Sequence, residues 1–210
     1  MGGKSDGTSK RGRQVEARRN DQAVLDAARL VFAVHGPDAA VSAVAREAGI
    51  GMGSLYRRYA SKEELLRTLC RQSLAEQLVA AETALGSGDE PWDALTGFIR
   101  ACVSFRAGAF TPLAGTIPVT AEMTTTARCV HESLELLVSR AHEAGALRPD
   151  VAGVDLHQLI ELFSRRRPDD GGAYQRLLAI ALDGLRAPGA APLPCSPSTW
   201  EALARQWTRD

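Results

Sequence analysis

A short stretch at residues 49–59, GIGMGSLYRRY, combines residue types that suit contact with a polyanion. Its three glycines leave the backbone without side chains, so a helix that begins there can approach a partner closely. The free N–H groups at such a helix start favour a phosphate. Serine, tyrosine and arginine follow directly, and these types make many contacts with phosphates and base edges. The stretch therefore predicts a nucleic-acid contact, although a solvated helix face after an ordinary glycine loop is the alternative.

The residues around this stretch predict helices that would position it. Val24, Ala28 and Val31 follow helical spacing in a helix at about 15–35, which ends at His-Gly-Pro-Asp. VSAVAREAG predicts a second helix at 41–49, and Gly49 suits a turn that needs a positive φ. SLYRRY predicts a third at 54–59. Helix, glycine turn and short helix together form the helix-turn-helix pattern.

A fourth helix is predicted to begin at Ser61. The sequence SKEE at 61–64 is a capping box, in which the serine and the second glutamate satisfy free backbone N–H groups. Leucines then recur at helical spacing to about Leu85, before the break GSGDEP.

Residues 20–67 strongly resemble the N-terminal domain of the TetR family of bacterial transcriptional repressors. The resemblance is carried by AA-x-x-x-F-A-x-x-G at 27–36, V-A-x-x-A-G-I-x-x-G-S-L-Y-x-x-Y at 44–59 and K-E-E-L at 62–65. It implies a three-helix DNA-binding domain whose third helix reads the operator. The DNA-contacting residues that it implies are Ser42, Gly51, Met52, Gly53, Ser54, Tyr56, Arg57, Arg58 and Lys62.

The sequence departs from the family pattern at the start of the second helix. The family usually has threonine before the first valine, where it caps the helix and touches a phosphate, but here Ala39 and Ala40 precede Val41. Either Asp38 or Ser42 replaces the cap, or the phosphate contact is lost. Met52 and Gly53 have no side-chain hydrogen bonds to offer, so readout is expected to use residues 10–19 and DNA shape as well.

The distribution of charge supports a nucleic-acid partner at the N-terminal end. The net charge is zero, but residues 1–67 carry 12 Lys and Arg against 8 Asp and Glu, and residues 68–210 carry 13 against 17. A basic N-terminal third on a neutral chain favours a polyanion. We predict a flexible basic arm at 1–14, the helix-turn-helix domain at 15–67 and a second helical domain at 68–210.

The second domain also has a helical pattern, so the predicted fold class is all-α. Helices are expected at about 91–108, 119–144, 153–166, 172–186 and 198–207, with a Pro-rich linker at 187–198. The family resemblance implies that this domain binds a small, largely apolar molecule and pairs with a second copy. It implies a homodimer that acts on a palindromic DNA operator as a ligand-released repressor.

Two sets of side chains are candidates for these roles. Helices 153–166 and 172–186 are predicted to form the dimer contact, with their own core as the alternative. Their candidate residues are Leu156, Leu159, Ile160, Phe163, Leu178, Leu182 and Leu185. The candidate pocket residues, for which ordinary core packing is the alternative, are Trp92, Phe98, Cys102, Phe105, Phe110, Met123 and His131.

Other functional classes are less well supported by the sequence. No HExxH, P-loop or dinucleotide-binding motif occurs, so we predict no enzymatic activity and no cofactor. His131 and Glu135 stand at i, i+4 and His142 lies on the same helix, but no cysteine or third ligand stands at a fixed spacing, so we predict no metal site. The four dispersed cysteines, the lack of a long apolar run and the polar N-terminus favour a cytoplasmic location. The alternative function is a helical small-molecule-binding or scaffold protein without specific DNA binding.

Overall fold

The computed structural model describes residues 6–109, 117–165, 171–188 and 191–205. Over these ranges the chain forms nine helices and one isolated antiparallel bridge, between Leu147 and Arg186. The all-α prediction is confirmed. The helices are α1 Asp6–His35, α2 Val41–Glu47, α3 Met52–Tyr56, α4 Lys62–Gly86, α5 Pro91–Ser104, α6 Ala121–Glu143, α7 Gly153–Ser164, α8 Gly171–Asp183 and α9 Trp200–Ala204.

Two helix starts differ from the sequence prediction. Helix α1 begins at Asp6 instead of about residue 15, so it includes most of the segment predicted as a flexible arm. That segment has no proline to stop a helix, although its glycines, serines and threonine are poor helix formers. Helix α3 begins at Met52 instead of residue 54, because Gly51 has the extended backbone of an N-cap residue. It ends at Tyr56.

The turn between α2 and α3 is the glycine turn that the sequence predicts. Gly49 has a φ of +67°, a conformation that strains most other residues. The N–H of Gly49 donates to the carbonyl of Arg46, and the N–H of Ile50 donates to the carbonyl of Ala45 at 2.9 Å. This pair of bonds is a Schellman motif, which ends α2 and sets the direction of the chain into α3.

The predicted cap of α4 forms with one difference. The Ser61 hydroxyl accepts a hydrogen bond from the N–H of Glu64 at 3.1 Å. The Glu64 carboxylate accepts from the N–H of Ala60 at 2.7 Å, one residue before the position that the capping box predicts. Helix α4 then continues for 25 residues, a length of about 37 Å.

The described residues form two hydrophobic clusters, and α4 contributes to both of them. The first packs α1, α2 and α3 against the start of α4, around Phe32, Leu55 and Leu65. The second packs the rest of α4 against α5–α8, around Phe98, Leu134 and Leu156. A continuous helix therefore crosses the predicted domain boundary at residues 67 and 68. No helix in the described part of the chain is long and apolar enough to cross a membrane.

Candidate nucleic-acid interface

Helices α2 and α3 present most of the predicted contact residues to solvent. Leu55 is 1% exposed and anchors α3 on the first cluster. Met52 and Tyr56 are 36% and 48% exposed, although large apolar and aromatic side chains usually pack inside. The six exposed members of the predicted set are Ser42, Gly51, Met52, Gly53, Tyr56 and Arg57. The structure therefore brings these residues together on one small, open surface.

The two arginines of the YRRY stretch have different surroundings. Arg57 is exposed, and its guanidinium donates to the Ser54 hydroxyl at 2.9 Å. Arg58 is half-buried and forms an ion pair with Asp21 of α1 at 2.6 Å. Arg58 therefore holds the end of α3 against α1 with its charge paired, and a DNA contact by Arg58 stays a prediction. Arg57 is the more exposed of the two arginines.

Lys62 occupies the first position of α4, next to the same surface. Its side chain is half-buried, and its ammonium lies 5.9 Å from the ring centroid of Phe32, within range of a cation–π contact. This contact holds the lysine at the helix start. A phosphate contact by Lys62 stays a prediction.

Gly51 and Gly53 have no internal reason to be glycine. Neither has a positive φ, and a Cβ atom added at either position would meet no atom within 4 Å. Gly49 differs, because its positive φ itself favours glycine. The missing side chains at 51 and 53 leave a low surface at the start of α3, as close approach of an external partner requires.

Helix α2 begins without a side-chain cap. Its N-cap residue is Ala40, with φ −69° and ψ 136°, and no side chain accepts from the N–H groups of the first turn. Of the two alternatives that the sequence left open, capping by Asp38 or Ser42 is therefore not found. The backbone at Ala40 already has the extended conformation of a capping residue.

An Ala40→Thr substitution is expected to raise the free energy of unfolding by about 1 kcal/mol. The threonine hydroxyl would accept a hydrogen bond from a free N–H group of α2. Urea denaturation measures the effect, and Ala40→Val is the matched control, since valine has the same branched shape without the hydroxyl. Equal stabilities of the two variants would show that no cap forms.

The candidate pocket residues occupy three different places. Phe98 and Cys102 are buried in the second cluster, and Trp92 and Phe105 pack against it. Met123 belongs to the first cluster instead, because the start of α6 packs beside the helix-turn-helix domain. His131 contacts Trp200 of α9, and Phe110 lies outside the described residues. Only the four side chains at the second cluster remain together as a candidate set.

The two buried cysteines have the environment of inert core thiols. Burial raises the pKa of Cys70 to about 12, and it raises the pKa of Cys102 as well. Since the thiolate is the reactive form, both thiols are poor nucleophiles at neutral pH.

Most of the candidate dimer residues pack inside their own chain. The four that are buried in the second cluster are Leu156, Ile160, Leu178 and Leu182, and the three that pack half-buried against it are Leu159, Phe163 and Leu185. The exposed apolar side chains of α7 and α8 are instead Leu162, Leu177 and Ile180, which are 71%, 58% and 58% exposed. The core alternative therefore describes the predicted set better than the dimer contact does.

Comparisons with known proteins agree with this arrangement. Residues 24–69 match the family model described as bacterial regulatory proteins, tetR family. Residues 90–187 match the model described as transcriptional regulator SbtR-like, C-terminal domain. The repressor LfrR of Mycolicibacterium smegmatis is 45% identical over 53 residues, which is 25% of this chain and 28% of the length of that repressor.

Two solved structures share the overall fold. The TetR regulator SCO0520 from Streptomyces coelicolor is 28% identical, with a TM-score of 0.52 over 81% of this chain and 99% of that one. LfrR from Mycobacterium smegmatis, solved in complex with proflavine, is 23% identical, with a TM-score of 0.59 over 85% and 99% of the two chains. The latter likeness concerns the fold alone.

The fold and the exposed α2–α3 surface define a helical regulator with a DNA-binding helix-turn-helix domain. The family models match both the N-terminal and the C-terminal part of the chain. The chain belongs to the TetR family of bacterial transcriptional regulators.

Proposed function

We propose that this regulator represses transcription by binding a palindromic operator as a homodimer, and that a small molecule releases it. The observation that carries the proposal is the exposed surface of α3, where Arg57 lies beside two glycines that the fold itself does not require. The named repressor LfrR, 45% identical over 53 residues, supports the repressor role.

On DNA, α3 is proposed to enter the major groove with its N-terminal end first. Gly51 and Gly53 allow the backbone to approach the bases, and Met52 offers an apolar contact to a thymine methyl group. Tyr56 and Arg57 then reach phosphates or base edges on one side. Few of these groups specify a base by paired hydrogen bonds, so the shape of the operator contributes to recognition.

The exposed apolar side chains of α7 and α8 are proposed as the dimer contact. Leu177 and Ile180 are three residues apart and therefore adjacent on α8, and α7 adds Leu162. The edge-to-face contact of Phe163 with Tyr174, at 5.3 Å between centroids, holds the end of α7 near α8. A twofold pair through these helices would present two copies of α3 to half-sites about 34–36 Å apart.

Release by a ligand is proposed to act through α4. This helix packs against α5 and α6 in the second domain and forms part of the first cluster. Arg29 of α1 is paired with Glu76 of α4 at 2.7 Å, and Met123 at the start of α6 also contacts the first cluster. A ligand that prefers a shifted arrangement of α4 and α6 would change the spacing of the two α3 helices and favour dissociation.

Replacement of Arg57 by alanine tests the DNA-binding role. We expect Arg57→Ala to weaken binding to a selected operator by about 10- to 100-fold, since a good arginine contact contributes about 1–3 kcal/mol. The magnitude of the salt slope should fall by about one if the contact is to a phosphate. Fluorescence anisotropy with labelled duplex across salt concentrations measures both quantities.

The matched control is Arg58→Ala, which removes the same charge from the next residue. Because Arg58 is paired with Asp21, its loss should lower thermal stability slightly and operator affinity less than Arg57→Ala does. Equal losses of affinity for the two variants would indicate attraction by net charge alone. That result is expected of the alternative, a helical scaffold protein with only nonspecific DNA binding.

A further inference from the structure

The C-terminal helix α9 places an aromatic ring against two neighbouring histidines of the second domain. The indole of Trp200 stacks on the imidazole of His131 in α6, with 4.0 Å between centroids and 5° between planes. The imidazole of His157 in α7 lies 5.8 Å from the same indole and 5.7 Å from His131. The three centroids form a triangle, and we call the space that Trp200 fills on the face of His131 and beside His157 the aromatic slot.

The segment that carries Trp200 has few points of attachment. Residues 191–199 are all exposed, and α9 is five residues long, so it has little stability of its own. Before α9, the side chain of Arg148 donates to the carbonyl of Ala191, and Asp150 accepts from the N–H of Leu193 at 2.8 Å. Within α9, Leu203 is 3% exposed. Trp200 can therefore leave the slot by detachment of this short helix alone, without unfolding of α6 or α7.

The walls of the slot have polar atoms that the tail leaves unsatisfied. The buried Nδ1 of His131 and Nε2 of His157 have no hydrogen-bond partner among the described residues. The carboxylate of Glu135 lies 3.9 Å from His131 Nδ1, too far for a hydrogen bond. An unpaired buried nitrogen is costly, so a ligand that stacks on His131 and also donates a hydrogen bond would fit these walls better.

The charge of the slot also favours a neutral ring or one that carries a donor. Burial, together with the nearby His131, lowers the pKa of His157 to about 4. Burial lowers the pKa of His131 more than Glu135, Glu132 and Glu201 raise it. Both imidazoles are therefore neutral at pH 7, and the nearby carboxylates disfavour an anionic ligand.

We propose that the aromatic slot is a binding site for planar aromatic molecules of about the size of indole that carry an N–H donor. In this proposal the C-terminal segment is an intramolecular competitor, since Trp200 occupies the site until a ligand displaces it. The proposal concerns binding at α6 and α7 and does not depend on release from DNA. It rests on the stacking geometry and on the two unsatisfied ring nitrogens.

The test uses indole as the probe and isothermal titration calorimetry on the full-length chain. Trp200→Ala empties the slot, so we expect this variant to bind one indole per chain at least about 10-fold more tightly than the parent protein does. In the parent protein only the fraction of molecules with a detached α9 can bind. Adding His131→Ala should abolish the gain, because the stacking surface is lost. 1-Methylindole, which lacks the N–H donor, should bind the Trp200→Ala variant more weakly than indole does.

Two further variants make the result decisive. Leu203→Glu keeps Trp200 and both histidines but weakens the docking of α9, so it should also increase indole binding. Leu136→Ala is the control, because it shortens a 45% exposed apolar side chain on α6 that belongs to neither the slot nor the candidate pocket, and it should give no increase. The proposal is wrong if Trp200→Ala and Leu203→Glu, each confirmed as folded by circular dichroism, bind indole no better than the parent. Binding that persists without His131 would also overturn it.

Discussion

A Gly53→Leu variant is expected to fold as the parent protein does and to lose operator affinity by at least about 100-fold. Gly53 lies on the exposed side of α3, and an added Cβ meets no atom of the chain within 4 Å, so the fold accommodates a side chain. Leucine favours helix more than glycine, so stability should stay equal or rise slightly. On DNA the same side chain would keep α3 away from the groove and remove several contacts of about 1–3 kcal/mol each.

Anisotropy with a selected operator and thermal unfolding together measure the two effects of Gly53→Leu. The matched control is Gly97→Leu, since Gly97 is also a helical, exposed glycine with open space around it, but it lies on α5 in the second domain. Gly97→Leu should retain operator binding. Undiminished affinity of Gly53→Leu would mean that α3 does not approach DNA closely.

Replacing Leu177 and Ile180 together by glutamate is expected to convert the protein to monomers. Both side chains are 58% exposed on α8, so the charges do not disturb the monomer core, but in a dimer contact they would be buried without partners. Operator affinity should fall by at least about 100-fold, because a monomer has one copy of α3 and binds a single half-site, without the gain from two linked contacts. Sedimentation equilibrium gives the oligomeric state and anisotropy gives the affinity.

The control for the dimer contact is Val79→Glu. Val79 is 61% exposed on α4, so the change adds a charge to an exposed apolar position on a different helix. This variant should remain a dimer. If the double glutamate variant sediments as the parent protein does, the proposed dimer contact is wrong and the two copies meet at another surface.

The helix-turn-helix region could be predicted largely from the sequence, because local rules determine it. Apolar spacing identified α1 and α2, and the glycine turn appears as the Schellman motif at Gly49. The pairing of Arg58 with Asp21 could not be predicted, since it joins residues 37 positions apart on different helices. It leaves Arg57 the more exposed of the two adjacent arginines.

The second domain shows why apolar pattern alone does not identify a surface. Helix α8 has apolar residues on more than one side, including Leu177, Leu178, Ile180 and Leu182. Periodicity shows that such a helix packs against something, but tertiary packing decides that Leu178 and Leu182 face the chain's own core. The contact of Trp200 with His131 is also nonlocal, although a tryptophan after a Pro-rich linker was a sign that α9 docks on the domain.

The most direct test of the central claim is selection of bound sequences from a random duplex pool by the purified protein, with Gly53→Leu run in parallel. The account predicts an enriched inverted repeat whose half-sites are about one helical turn apart for the parent protein, and no enrichment for the variant. A pool without a common sequence, bound equally by both proteins and released by moderate salt, would contradict it, because such binding reflects basic charge alone.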